Sequence, residues 1–348
     1  MRAAVLQGSA ITIETLPDPA PGPGQLLVAP IFTGICGSDL HWRERAIADP
    51  AAVPAIVPGH EFSAEFLAAG PGVDTAFKPG DRLAALPFTH SRHAPNGFAV
   101  VGLSADYSGG LATLACVDAA RAFAIPDEVP DDLAALTEPL AVGLHAANLA
   151  TRNRGPNVVI GCGPVGLAVI FALLQQGRGP VLAADFSNAR RAAAAALGAD
   201  IVLDPAESSP FRHWQELGFS PLPSSPLLER AFRGLAPGVN IFDCVGTQGL
   251  LDQIIKSAPQ HSHVITVGVC AHEDKLTPRE AIVAELTLEF SFAYRPEEFR
   301  QSLATIAAHP DKVRHLVTDR LALAETGEAF DRLAKNPEEI KVLIDPRR

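Results

Sequence analysis

Two kinds of hydrophobic pattern divide the chain. From residue 1 to about 125, apolar residues come in short runs such as QLLVAPIFTGI, HEFSAEFLAAG and DRLAALPF, broken by Gly and Pro in PAPGPG, GPG and KPGD. Runs of that length between turn formers predict many short β-strands in a compact, barrel-like region. Met1 to Ile13 predicts a strand pair turning at Gly8. Helical spacing begins near Pro130, where DDLAALTEPLAVGLHAANLA has Asp131 positioned to cap and a break at Thr137-Glu138-Pro139. Proline is tolerated best in the first turn of a helix, so a short helix should stop there and a longer one begin. Glu138 then stands at a helix start.

Strands and helices alternate from there on. Val158 to Ile160, Val181 to Ala184, Ile201 to Leu203, Asn240 to Val245 and His263 to Val269 read as strands, with helices over Val165 to Gln176, Ser187 to Leu197 and up to Ser257. That order implies βαβ units and a parallel sheet. The stretch HVITVGV is expected at an edge open to pairing, and Pro205 to Pro226, rich in Pro and Ser around Trp214, as an excursion from the sheet. After Phe299 a helix, LVTDRLAL, a last helix and KVLID are expected to pack back on the first domain. The division is a β-rich domain over 1–150, completed by 300–348, and a doubly wound α/β domain over 151–299.

Composition narrows the function. With 348 residues, 47% hydrophobic and 19% charged, the chain has material for about two globular domains. A net charge of −11 argues against a nucleic-acid partner, which would need clustered Lys and Arg. The opening residues predict strands in place of a leader, and no apolar run reaches the ~18 residues of a membrane span. Five widely spaced cysteines, 36, 116, 162, 244 and 270, suit free thiols in the cytoplasm.

Gly161-Cys162-Gly163-Pro164-Val165-Gly166 follows the strand VVI and opens a helix. A lone G-x-G-x-x-G is common in turns that bind nothing. Here the strand before it, the helix after it and Asp185, 19 residues past Gly166, select a dinucleotide site. The glycines give a tight turn, close approach to a pyrophosphate and close helix packing, and the helix N-terminus faces the phosphates. A carboxylate at Asp185 favours the ribose hydroxyls of NAD over the 2′-phosphate of NADP. Arg190 flanks the adenosine or belongs to a solvated helix face; Val245, Val267 and Val269 are expected along the same cofactor.

Cys36, His60 and Glu138, with Glu61 beside His60, offer the thiolate, imidazole and carboxylate donors that zinc takes. Residue types alone leave two readings open: a metal centre, or a buried Cys, a surface His and two solvated acids.

GICGSDLH, PGHE, FKPGDRL, TEPLAVGLHA and VVIGCGPVGLAVI, in this order, resemble the zinc-dependent medium-chain alcohol and polyol dehydrogenases over nearly the whole chain. The resemblance implies a GroES-like β-rich catalytic domain with a Rossmann domain, one catalytic zinc, NAD, a small alcohol or ketone as substrate, and a homodimer or homotetramer. It implies Cys36 and His60 as zinc ligands, Glu138 as the ligand typical of sorbitol-type and secondary-alcohol enzymes, and Glu61 as a carboxylate that ligates or alternates with water. It also implies Ser38 as acceptor of the substrate proton, Asp39 as the acid behind the ligands and His41 as the exit of the proton relay.

The sequence departs from that family in three places. Asp81 to Ala115 holds no Cys, which excludes the four-cysteine lobe of a structural zinc, and leaves His90 and His93 as loop residues. SFAYR has Ala293 where sorbitol-like members have Arg before the Tyr, which weakens a polyol reading. The third departure is the long Pro205 to Pro226 connection. Two competing readings share the fold: a zinc-free quinone-type reductase, and a nucleotide-binding protein without catalysis. The Cys36, His60, Glu138 set speaks against the first, and Ser38 and His41 beside it against the second.

Overall fold

The short apolar runs of the first third form strands that bury most of their residues in a β core. The structure, a computed structural model, describes residues 1–91, 97–150, 155–213, 216–217 and 238–348. Two compact units divide it, Met1–Glu138 with Pro296–Arg348, and Pro139–Arg295.

In the first unit, β1 (Arg2–Gln7) and β2 (Ala10–Thr15) form a hairpin whose turn needs the positive φ of Gly8, +58°. Next come β3 (Gln25–Gly34), β4 (Glu61–Ala69), β5 (Arg82–Ala85), the small hairpin β6 (Phe88–His90) and β7 (Phe98–Val100), β8 (Ala115–Asp118) and β9 (Ala122–Ala124). Leu26, Val28, Phe62, Ala64, Phe66 and Leu83 fill the core of this β region. Helix α1 (Gly37–Ala48) links β3 toward β4. His90 sits on β6, with its ring 5.0 Å from that of Phe98; His93 lies outside the described residues.

The helical break falls as expected, between α2 (Asp131–Ala134) and α3 (Thr137–Leu149), with Glu138 in the first turn of α3. Asp131 does not cap. Pro130 occupies the cap position, and Asp131 instead accepts from Arg82 Nη1 at 2.9 Å. The guanidinium of Arg82 also donates to the carbonyls of Val129, Pro126 and Asp127, so it competes successfully for that carboxylate.

The second unit contains a fully parallel sheet of β10 (Asn157–Ile160), β11 (Val181–Ala184), β12 (Ile201–Leu203), β13 (Asn240–Asp243), β14 (His263–Thr266) and β15 (Thr287–Phe290), in the order β12-β11-β10-β13-β14-β15. This is the doubly wound order, with the topological switch beside β10. Helix α4 (Pro164–Gln175) follows β10 and buries every residue from Gly166 to Leu173. Helix α5 (Asn188–Leu197) follows β11, capped by Ser187, whose hydroxyl accepts from the Arg190 N–H at 3.2 Å, and closed by Gly198 at φ +113°. HVITVGV is not an edge. It supplies β14, which pairs with β13 on one side and β15 on the other. Among the described residues the sheet ends at β12 and β15. Of the Pro205 to Pro226 excursion, a 3-10 turn at Pro210–Arg212 is described; 214–215 and 218 onward, Trp214 among them, lie outside the described residues.

The tail returns to the first unit, adding β16 (Val317–Ala322) and β17 (Lys341–Asp345). β17 pairs antiparallel with β3 through Leu343↔Gly34 and Ile344↔Thr33, giving a sheet ordered β16-β17-β3-β4-β5-β9, with β8 on β3. Among the described residues no helix is long and apolar enough to cross a membrane.

Candidate active site

Strand register assembles the first part of the site. β3 and β4 pair with Gly34 opposite Glu61, so Cys36, two residues past the end of β3, and His60, one residue before β4, come to the same end of the sheet. Gly34 leaves space for its neighbour: a Cβ there would overlap Glu61 Oε2. The Pro58-Gly59 turn that delivers His60 has φ +99° at Gly59 and is held by three backbone bonds, Gly109 N–H to Val57 O, Gly110 N–H to Gly59 O and Leu111 N–H to Pro58 O, of 2.7–3.1 Å. A Cβ on Gly109 would overlap the Pro58 and Gly59 carbonyls, which accounts for the Gly109-Gly110 pair.

Cys36, His60 and Glu61 each offer a donor atom, and these atoms all lie within 4.8 Å of one another. Thiolate, imidazole and carboxylate together suit zinc. His60 and Glu61 are buried and Cys36 is half-buried. Asp39 stands behind them: its Oδ2 accepts from Cys36 N–H at 2.9 Å, and its Oδ1 lies 3.6 Å from His60 Nδ1. Both Asp39 Oδ1 and His60 Nδ1 are buried without a hydrogen-bond partner. A pair of orphaned buried atoms next to three donors fits a cation at this place, because unpaired polar groups in the interior are costly. Burial by itself would lower the pKa of His60, but the charges of Asp39 and Cys36 outweigh it and raise it well above the ordinary value.

Lys341 is the residue that the sequence did not bring forward. Its Nζ donates to both oxygens of Glu61, at 2.9 and 2.6 Å, and to the Ile35 carbonyl at 2.9 Å, with both side chains almost fully buried. Burial alone would lower its pKa; Glu61, with Cys36 and Glu138 adding to it, raises it. The available signal was a lysine directly before the apolar run Val342-Leu343-Ile344. Glu138 is 9% exposed and acts on the charge of Lys341, but the close donor group consists of the other three residues. Ser38 Oγ lies 3.3 Å from His60 Nε2, and His41, on the same helix, pairs with Glu44 at 3.1 Å near the surface.

The second unit carries the glycine loop. Gly161, at φ +88°, turns out of β10; Gly163 is the cap residue of α4 and Pro164 its first position. A Cβ on Gly166 would overlap the Gly161 carbonyl, so helix and loop touch only because that residue is glycine. Val165 lies in the first turn. Asp185, at the end of β11 and 9% exposed, accepts from Cys162 N–H at 2.7 Å and from Ser187 N–H at 2.8 Å, one bond on each oxygen. Each oxygen retains a lone pair for a ribose hydroxyl. Arg190 extends toward Gly163, whereas Arg191 is used structurally, bonding the Asp185 and Phe186 carbonyls at 2.8 Å and pairing with Asp204 at 2.9 Å. Val245 and Val269 are exposed at the ends of the neighbouring turns, and Val267 is half-buried.

Two family profiles match these two parts. Residues 22–127 match the alcohol dehydrogenase GroES-like domain, and residues 164–308 the zinc-binding dehydrogenase. The chain belongs to the zinc-dependent medium-chain alcohol and polyol dehydrogenases. The (R,R)-butanediol dehydrogenase of Bacillus subtilis is 29% identical over 97% of the chain and 96% of the relative, and the sorbitol dehydrogenase of Gallus gallus 27% over 99% and 96%. The solved 2R,3R-butanediol dehydrogenase from Bacillus subtilis superposes with a TM-score of 0.83 at 27% identity, covering 99% of each chain. This dehydrogenase therefore has the GroES-like and Rossmann domains of its family, and is an oxidoreductase using zinc and a nicotinamide cofactor.

Two outcomes follow from the electrostatics of the dehydrogenase site. Zinc has to displace the proton that Asp39 and Cys36 hold on His60, so its affinity should rise with pH until the raised His60 pKa is passed. A competition titration with a chelator should show at least about tenfold per pH unit below that point. Lys341→Met leaves Glu61 charged, buried and unpaired; urea unfolding of the zinc-free protein should show a loss of about 3–5 kcal/mol.

Proposed function

We propose that this dehydrogenase oxidises secondary alcohols or polyols with NAD, or reduces the matching ketones, at one zinc ion held by Cys36, His60 and Glu138, with Glu61 joining or leaving the set. The observation that carries the reading is the convergence of Cys36, His60 and Glu61 within 4.8 Å of one another. That convergence disfavours a zinc-free quinone-type reductase. Glu138 is assigned on its burial and its electrostatic influence at Lys341. Glu61 already serves Lys341 through both oxygens, so it would share its carboxylate between ammonium and metal.

When bound, zinc polarises the substrate oxygen and NAD accepts the hydride. The chain supplies the rest. Ser38, in the first turn of α1 and 3.3 Å from His60, takes the proton of the substrate hydroxyl. His41 stands one turn further along the helix and is open enough to pass that proton to solvent. Asp185 places a buried carboxyl group at the end of β11, where a ribose hydroxyl fits and a 2′-phosphate does not, which favours NAD over NADP. Arg190 and the strand-end valines 245, 267 and 269 complete the cofactor contacts. The named substrates of the relatives, butanediol and sorbitol, carry several hydroxyls, which puts diols and sugar alcohols first in the search.

A homodimer is proposed through β15. Among the described residues that edge has no strand beyond it, and Phe290, Phe292 and Ile282 near it are 67%, 85% and 73% exposed. The five free thiols support a reducing, cytoplasmic setting; fractionation that recovered the protein elsewhere would contradict it.

A panel of secondary alcohols, diols and sugar alcohols assayed with NAD and NADP should show NADH formation, about one zinc per chain and a preference for NAD. Cys36→Ser should abolish oxidation while leaving NADH binding intact; two tight zincs, or activity without zinc, would refute the assignment. Phe290→Glu with Phe292→Glu should turn a dimer into a monomer in sedimentation velocity, and an unchanged mass would remove the β15 interface.

A further inference from the structure

Asp243 ends β13 at the carboxyl edge of the parallel sheet, between β10 and β14, and is 2% exposed. Four backbone N–H groups converge on it. Its Oδ1 accepts from Val245 N–H at 3.0 Å and Gly246 N–H at 3.1 Å, in the turn that follows β13. Its main-chain oxygen accepts from Val267 N–H at 2.8 Å and Gly268 N–H at 2.9 Å, in the turn that follows β14. The two turns also touch. Gly246, at φ +69°, would with a Cβ come 2.5 Å from Gly268 C, and a Cβ on Gly268 would overlap Gly246 N. On the other side, Val245 presses on the glycine loop, where a Cβ on Gly161 would lie 2.6 Å from Val245 Cγ2.

The sheet order divides the dinucleotide. Asp185 on β11 lies on the adenosine side of β10, so the turns after β13 and β14 belong to the nicotinamide side. We propose that Asp243 is the positioning residue of the nicotinamide half, fixing the turns at 244–246 and 267–269 as one surface against which the reactive end of the cofactor is set. The inference rests on the dinucleotide reading above. Retaining a buried carboxylate is expensive, since burial pushes the Asp243 carboxyl above its usual range and the Gly246 and Val245 N–H bonds only partly oppose this. A leucine or valine would fill the space and keep the main-chain bonds to Val267 and Gly268, but would leave the Val245 and Gly246 N–H groups without acceptors and loosen the 244–246 turn that packs against Gly268.

The experiment compares NADH with ADP, which shares only the adenosine and phosphate portion, by fluorescence and calorimetric titration of the full-length protein. Asp243→Ala should weaken NADH by about tenfold or more and leave ADP within about twofold. Asp243→Asn, which keeps an acceptor oxygen, should restore NADH binding to within about threefold of wild type. Gly268→Ala approaches the same contact from the other turn and should reproduce the NADH-selective loss, so the outcome stands even if Asp243→Ala does not fold. Equal weakening of NADH and ADP, or no weakening of either, would overturn the positioning role while the cofactor reading survives. Wild-type protein that binds ADP and NADH equally would also overturn the positioning role alone, whereas protein that binds neither would overturn both.

Discussion

The antiparallel register of β17 on β3 and β3 on β4 is the constraint on which the metal end of the molecule depends. Leu343 opposite Gly34, and Gly34 opposite Glu61, bring three segments far apart in sequence to one sheet end. A one-residue slip would turn every side chain to the other face. Lys341 would then leave Glu61, and a buried carboxylate would lose its cation. The buried ion pair adds little net stability on its own, because desolvation offsets the attraction. Its consequence is geometric: Lys341 also bonds the Ile35 carbonyl next to Cys36, so one ammonium joins the turn that carries the thiol to the strand that carries the carboxylate.

Glycine does complementary work wherever backbone must approach backbone or carboxylate. Gly34 gives room to Glu61, Gly109 to the Pro58-Gly59 turn, and Gly166 to Gly161. In each case an added methyl group would overlap an atom that the site uses. The nucleotide unit shows the same economy in polar form. Asp185 receives Cys162 and Ser187 N–H groups on one side of β10, and Asp243 receives those of Val245 and Gly246 on the other. Two buried strand-end carboxylates thus fix the turns at the carboxyl edge of the sheet, where the cofactor is proposed to lie.

Local pattern made much of this legible. The break at Thr137-Glu138-Pro139 follows from the steric rule for proline, and the α/β alternation from apolar runs of strand length between helical ones. The capping role expected of Asp131 failed because Arg82, nearly fifty residues earlier, competes for the same carboxylate. The expected edge at HVITVGV failed for a similar reason: an apolar run looks the same whether one strand or two lie beside it, and β15 covers its outer side.

By itself, then, the sequence determined the element types and the glycine loop followed by Asp185, and offered Cys36, His60, Glu61 and Glu138 as candidate donors. Those depend on short-range sterics and on residue chemistry, both readable along the chain. Only the tertiary structure decided that Lys341 shares Glu61 with any metal, that Asp39 stands 3.6 Å behind His60, and that Asp243 gathers two turns. Each of these is a pairing of buried charge or backbone across long sequence separations, and the register of the sheets, not the local pattern, selects which groups meet.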